Sequence, residues 1–439
     1  MSGNRDKKGL VLVAVLWLVV VLMAIVAVLG RQARLDMKVS MARMEGIRCK
    51  WACRGGIEKA VGVLNEDTRE SDSLIDTWSD NAEEFNDVAL EGCLFNVRVV
   101  DEASKLNINT ATKEQLMGLP DMVEDIADSI ISWRDSNDTS SGLGAVSGYY
   151  EDLPFGYRSR KGPFRTIREL LLVKSVTEEL FYGEDTNLNG KLDYNERDGD
   201  ESPPMDDGDD ELDPGWIEYL TCYSYDNNKD ASGNTKVNIN TADQNELQTS
   251  LGLNRSNARW IVENRNNKQY QSIADLISQG GSQTAPTTGT GGTSRGAQDA
   301  GRPLDLQTFY QIADRITVAS GGKISGKVNI NTASDFVLAA LLGGGDEAEQ
   351  IAGSIVNYRN NLAAGMESIA EVLQAGLMST DTFKRVANYL TTRSDVYTVR
   401  SFSTASRGSN SGATLQTEVV VDRSANPCEV PYWYEGVSN

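Results

Sequence analysis

The chain has 439 residues, 63 acidic and 42 basic, for a formal net charge of -21. That length implies two or three structural units. The acidic balance speaks against nucleic acid as the main partner, because such affinity comes largely from Lys and Arg neutralising phosphates. The sequence contains no histidine, which removes Ser-His-Asp and Cys-His catalysis, histidine general bases and the usual zinc sites together. With no other catalytic constellation in view, the chain reads as a non-enzyme.

Leu10 to Gly30 carries no charge and is almost wholly apolar. Twenty-one residues at about 1.5 Å each reach about 31 Å, enough to cross a bilayer. Arg5, Lys7 and Lys8 stand in front of it, which predicts a cytoplasmic N-terminus with everything after Arg31 across the membrane. Lys7-Lys8-Gly9 directly before Leu10 resembles a type IV prepilin leader, cut after Gly9; a plain signal anchor that stays uncut is the alternative. The helix is predicted to continue to about Asn65, with a kink or break at Gly55-Gly56.

Cys93 to Val100 alternates as a strand does, and so do Asp395 to Phe402 and Thr414 to Val421, with a turn at Gly408 to Gly412. The expected fold class is α+β: a long N-terminal transmembrane helix packed on a small antiparallel sheet, with a large, mostly α-helical insertion of helix-hairpin-helix or SAM-like repeats. The insertion holds the strongest pattern in the chain. Leu106-Asn-Ile-Asn-Thr-Ala111 recurs as Val237 to Ala242 and as Val328 to Ala333. Each copy precedes a helical stretch ending near Trp133-Arg134, Asn264-Arg265 or Tyr358-Arg359, then a short motif at Phe164 to Leu170, Ser272 to Leu276 or Ser368 to Val372. Thr110, Thr241 and Thr332 are the expected N-caps, with Gln244 and Asp335 completing a capping box in copies two and three but nothing suitable in copy one.

Helix-hairpin-helix modules of some competence receptors bind DNA by offering hairpin N–H groups to phosphate. Here the first hairpin holds Asp121 and the third Asp346-Glu347, and Leu106 to Asp135 carries six acids against Lys113 and Arg134. These are read as structural repeats, with no nucleic acid expected.

Asp185 to Glu196 matches the twelve-residue EF-hand loop. Oxygen ligands for calcium would come from Asp185, Asn187, Asn189, the Lys191 carbonyl, Asp193 and a bidentate Glu196. Gly190 supplies the sharp turn and Leu192 the apolar eighth position. The acidic run Asp206 to Glu211 fits no ligand template. Of five cysteines, Cys49 and Cys53 lie four apart on a helix, where a bridge would be strained. A pair among Cys93, Cys222 and Cys428 is open in an oxidising compartment, and buried small hydrophobes are the plainer reading.

Several features together resemble the minor pseudopilin K class of the type II secretion system, the general secretion pathway protein K family. They are the leader, Ala14 where most pilin-like subunits carry glutamate, Trp17, Arg31-Gln-Ala-Arg34, the repeats inside a helical insertion, and the Pro431-Tyr-Trp-Tyr-Glu435 ending. The resemblance implies that a prepilin peptidase cleaves after Gly9 and methylates Leu10. It also implies a single-pass inner-membrane subunit, mostly periplasmic, joining other minor pseudopilins at the tip of a filament of major pseudopilin, and it agrees with calcium in the insertion. A type IV pilus minor pilin and a membrane-anchored DNA receptor are the rival readings. The expected division is a leader at 1–9, a membrane segment at 10–30 and the rest of the helix with the first strands at 31–108. The insertion follows at 109–390, with its calcium loop at 185–196 and a Gly/Ser/Thr-rich flexible linker at 281–302, then closing strands at 391–439.

Overall fold

The computed structural model describes residues 6–199, 201–266, 268–277, 303–405, 414–425 and 427–438. The linker expected at 281–302 and the turn expected at Gly408 to Gly412 lie outside the described residues. A single helix, α1 (Asp6–Glu66), runs from the basic N-terminal stretch to the edge of the soluble part. Among the described residues it is the one helix long and apolar enough to cross a membrane. Residues 10–44 are exposed along their whole length, as a lipid-facing span and a projecting stalk would be.

The helix does not break at Gly55-Gly56. A Cβ on Gly56 would sit 2.5 Å from Ser401 Oγ, 2.9 Å from Val97 Cγ2 and 3.0 Å from Phe95 Cδ2. The missing side chain lets α1 lie directly on a sheet, so the glycine serves close approach rather than bending.

That sheet has five antiparallel strands in chain order: β1 (Val88–Leu90), β2 (Cys93–Asp101), β3 (Val396–Ala405), β4 (Thr414–Asp422) and β5 (Glu429–Ser438). The predicted strands are present. The last one, β5, falls within the closing strands expected at 391–439, where the sequence assigns no separate strand; its Pro431 is tolerated because β5 is an edge and the register slips between Val420 and Asp422. Alternating side chains of β2, β3 and β4 (Phe95, Val97, Tyr397, Val399, Val419, Val421) meet Cys49, Ala52, Ile57, Ala60 and Leu64 of α1 in one core.

The helical body leaves the sheet after Asp101 and returns at Val396, and Asp101 pairs with Tyr397. It therefore hangs between two neighbouring strands, entering and leaving at one point. Leu106 already pairs with Leu220 inside the body, so the body starts before the expected 109. It holds its own core, which includes Ile108, Ile239 and Ile330 from the three repeats.

One polar network ties body to sheet. Arg98 and Arg400 stand opposite each other on β2 and β3, a repulsive arrangement by itself. Glu218 of the body reaches both, 2.8 Å from Arg98 Nη2 and 2.6 Å from Arg400 Nη1, and Glu418 lies 2.8 Å from Arg400 Nε. Burial would push the Glu218 carboxyl up, but Arg400 and Arg98 hold it well below the usual carboxylate range.

Candidate metal centre and repeated modules

The repeated phrase spends its side chains on structure. In each copy the first asparagine (Asn107, Asn238, Asn329) accepts from the backbone N–H two residues on, at 2.9 to 3.0 Å. It thereby closes an Asx turn. The second asparagine clamps a remote backbone in both directions: Asn109 holds Phe164, Asn240 holds Tyr270 and Asn331 holds Met366. The arginine ending the second helix (Arg134, Arg265, Arg359) donates to the carbonyls of the phrase's isoleucine and alanine. Each phrase begins as a two-residue strand paired in parallel with the segment that ends its module: Leu106 with Leu220, Val237 with Ile316 and Val328 with Leu390.

The helix caps fall two residues later than expected. They are Thr112, Asp243 and Ser334, not Thr110, Thr241 and Thr332. The turn started by the first asparagine still runs through the threonine and alanine, whose N–H groups donate to that asparagine's carbonyl. Copy one, expected to lack a capping box, has one between Thr112 and Gln115. The lysine before each phrase was also overlooked. Lys105 Nζ donates to the Ile217 carbonyl at 2.9 Å and Lys327 Nζ reaches that of Leu390 at 3.5 Å, while Lys236 lies 3.3 Å from Asp226.

Hairpins one and three face each other. A Cβ on Gly118 would stand 2.7 Å from Ala340 Cα, and one on Gly344 would stand 3.2 Å from Gly118 Cα. Their glycines serve packing between modules rather than an approach to phosphate.

The candidate calcium loop interrupts the last helix of the first module. Glu178–Tyr182 precedes it and Trp216–Tyr219 follows it. The base is closed by Gly215 N–H to the Tyr182 carbonyl and Glu184 N–H to the Asp213 carbonyl. Within the loop, Asp185 accepts from the backbone N–H of Asn189 and Gly190, both at 2.9 Å, and Gly190 takes a φ of +69°. Asn187 Nδ2 and Asn189 Nδ2 each lie 2.8 Å from Asp193 Oδ2, and Asn187 Nδ2 lies 3.4 Å from Glu196 Oε1. Glu196 Oε2 accepts from Asp193 N–H at 2.9 Å. Asp185, Asn187, Asn189, Asp193 and Glu196 are thus brought together. The Lys191 side chain is exposed, leaving its backbone as the contribution expected of it. The buried apolar residue is Leu188, not Leu192, which is half-buried.

Asp185 is 2 % and Glu196 1 % exposed. Burial, then repulsion from Asp185 and Asp193, pushes the Glu196 carboxyl up to about 7, and burial also raises Asp185. Arg98 Nη1 stands 3.7 Å from Asp185 Oδ2, a neighbour the motif did not predict. Crowded, buried oxygen donors short of positive charge are what a hard divalent cation relieves, so the donor set fits calcium.

The run Asp206 to Glu211 forms successive turns, with Asp206, Asp207 and Asp209 accepting from the backbone two residues on. Apart from the loop, Asp67, Asp72 and Asp76 bring three carboxylates close enough to share an ion. Arg423 already pairs with Asp67 and Asp72 there.

The family described as type II secretion system (T2SS), protein K, matches residues 93–182, from β2 to the end of the helix that precedes the candidate calcium loop. A match of the same description covers residues 328–393, the whole third module. Over these two stretches the chain is similar to the protein K family. A helix-hairpin-helix motif matches residues 232–281, in the second module. No curated protein matches the chain. One similar solved structure is described as "The Crystal Structure of the GspK-GspI-GspJ complex from enterotoxigenic Escherichia coli Type 2 Secretion System". It has 13% sequence identity and a TM-score of 0.47, over 90% of this chain and 99% of that one.

Proposed function

We propose that the chain is a minor pseudopilin at the tip of the periplasmic pseudopilus, anchored in the inner membrane by α1 and carrying calcium at 185–196. The observation that carries the tip position is the helical body. It occupies everything between two adjacent strands of a small sheet, and a subunit so bulky leaves no room for copies of itself in a narrow filament. Ala14 agrees with this reading. A charge in hydrocarbon needs a partner, and a subunit with nothing above it needs no glutamate to pair with a neighbour's amine.

The basic residues before Leu10 keep the N-terminus cytoplasmic and put the soluble part in the periplasm. Gly9 and Leu10 lie in the first turns of α1, where a prepilin peptidase would release a methylated Leu10. Calcium in this reading is structural. Asp185, Asn187, Asn189, the Lys191 carbonyl, Asp193 and Glu196 would hold it, and it would stiffen a loop that interrupts a module helix.

The test is isolation of the assembled machine's pseudopilus from detergent, with each pseudopilin quantified. Tip placement requires this chain in equal amount with two other minor pseudopilins and far below the major one. Parity with the major pseudopilin would refute it. The mass of the N-terminal peptide reports processing, and an intact Met1 or Ser2 start would rule out the peptidase step.

A further inference from the structure

Cys49 on α1 and Cys93 at the start of β2 are separated by 44 positions, and the fold brings their sulfurs to 3.1 Å. Both side chains are 1 % exposed. A disulfide holds its sulfurs at about 2.05 Å, so closing the bond asks for a movement of about 1 Å. We propose that Cys49 and Cys93 form a disulfide in the mature protein, clasping the membrane helix to the first long strand of the sheet. The inference rests on the reading that the soluble part lies outside the cytoplasm, where disulfides persist.

The position gives the bond its use. Among the described residues, Cys49 is the first buried side chain of α1 counted from the membrane end. The exposed stalk meets the sheet there, and a load carried along α1 would start to peel helix from strand at that point. A covalent link at the fork blocks peeling where noncovalent contacts would have to yield one after another.

The neighbouring thiols are otherwise engaged. Cys53, one turn further on, donates to the Leu415 carbonyl of β4 at 3.3 Å, and Cys428 donates to Asn65 Oδ1 at 3.1 Å. The sequence left Cys93 to pair with Cys222 or Cys428; the structure gives it Cys49 instead.

The step balances as an exchange. One cysteine thiolate attacks the disulfide of a protein dithiol oxidase, forming a mixed disulfide, and the second thiolate displaces it. Two S–H bonds are lost and one S–S bond forms, while the oxidase leaves as a dithiol carrying the two electrons and two protons. Burial, then the nearby Cys49 sulfur, pushes the Cys93 thiol up to about 11. The thiolate is scarce once α1 has docked, so the bond closes during folding and later resists exchange.

The experiment is alkylation of the full-length protein, taken from its own membranes, in denaturant without reductant, followed by peptide mapping. The expected result is a Cys49–Cys93 linked peptide, with Cys53, Cys222 and Cys428 alkylated. Cys93→Ser should free Cys49 for alkylation, and Cys53→Ser should leave the link intact. Reduction should lower the thermal midpoint of the parent by about 5 °C or more and leave that of Cys93→Ser unmoved. A link through Cys53, or alkylation of both Cys49 and Cys93, overturns the proposal. In the second case, treating the folded protein with diamide separates the causes. Closure by diamide means the compartment is reducing and the orientation reading has failed, whereas continued alkylation means the two thiols do not meet.

Discussion

Gly56 offers a sharp test of how α1 meets the sheet. Replacing a helix-interior glycine by alanine ordinarily stabilises by about 1 kcal/mol. At Gly56 the new methyl would lie 2.5 Å from Ser401 Oγ, 2.9 Å from Val97 Cγ2 and 3.0 Å from Phe95 Cδ2. These atoms come from two paired strands, and Ser401 is fully buried, so no single side chain can swing aside. Overpacking of this kind costs about 1–3 kcal/mol. With three collisions at once the upper end applies, and Gly56→Ala should destabilise by about 2 kcal/mol net. Gly62→Ala is the control: a Cβ there meets nothing within 4 Å, so it should stabilise by about 0.5–1 kcal/mol. Urea unfolding of the full chain in detergent, followed by tryptophan emission, reads both. Trp78 is a suitable reporter, buried edge-on against Tyr397 of β3 at 5.1 Å. If Gly56→Ala matched or exceeded Gly62→Ala in midpoint, the close helix–sheet approach would be wrong.

Other outcomes follow from the same geometry. A chelator should lower the thermal midpoint, saturating calcium should restore about 2–3 kcal/mol, and Glu196→Gln should abolish most of that difference; calorimetry with and without calcium decides it. Arg359→Met should cost about 2–4 kcal/mol, because the Ile330 and Ala333 carbonyls, now 2.8 and 2.6 Å from Nη1, lose their donor inside a tight turn; hydrogen exchange should localise the loosening to the third module. Acid should weaken the join between body and sheet. Against the cost of burial, Arg400 together with Arg98 lowers the Glu218 carboxyl, and Arg400 with Arg168 lowers that of Glu418. Their contribution is therefore complete above the unfolded carboxylate range near pH 4.5 and is lost as pH falls below it. Glu218→Gln should flatten the fall in urea midpoint between about pH 5 and pH 3, and an unchanged slope would remove Glu218 from the linkage.

Much of this protein is written in local pattern. The apolar run of α1 declares itself because a bilayer demands about twenty uncharged residues in succession. The three Asn-Ile-Asn-Thr-Ala phrases are legible because each module needs the same turn, the same backbone clamp and the same arginine, so chemistry repeats wherever geometry repeats. The candidate calcium loop is legible because a twelve-residue loop that holds one ion must place its oxygens at fixed spacings.

What stayed hidden depends on partners distant in sequence. Gly55-Gly56 read as a break because a glycine's local meaning is flexibility, and only the arrival of β2 and β3 turns Gly56 into a contact. Thr110, Thr241 and Thr332 have the right chemistry for caps, yet the preceding Asx turns delay each helix by two residues. Pro431 sits in β5 because that strand is an edge, and nothing in the sequence says which strand lies at an edge. Cys49 and Cys93 met as the nearest pair of sulfurs only when helix and sheet had docked. Spacing along the chain records what a residue can do with its neighbours within a turn or a strand; packing decides which surfaces touch, and so which glycines, charges and thiols acquire a second role.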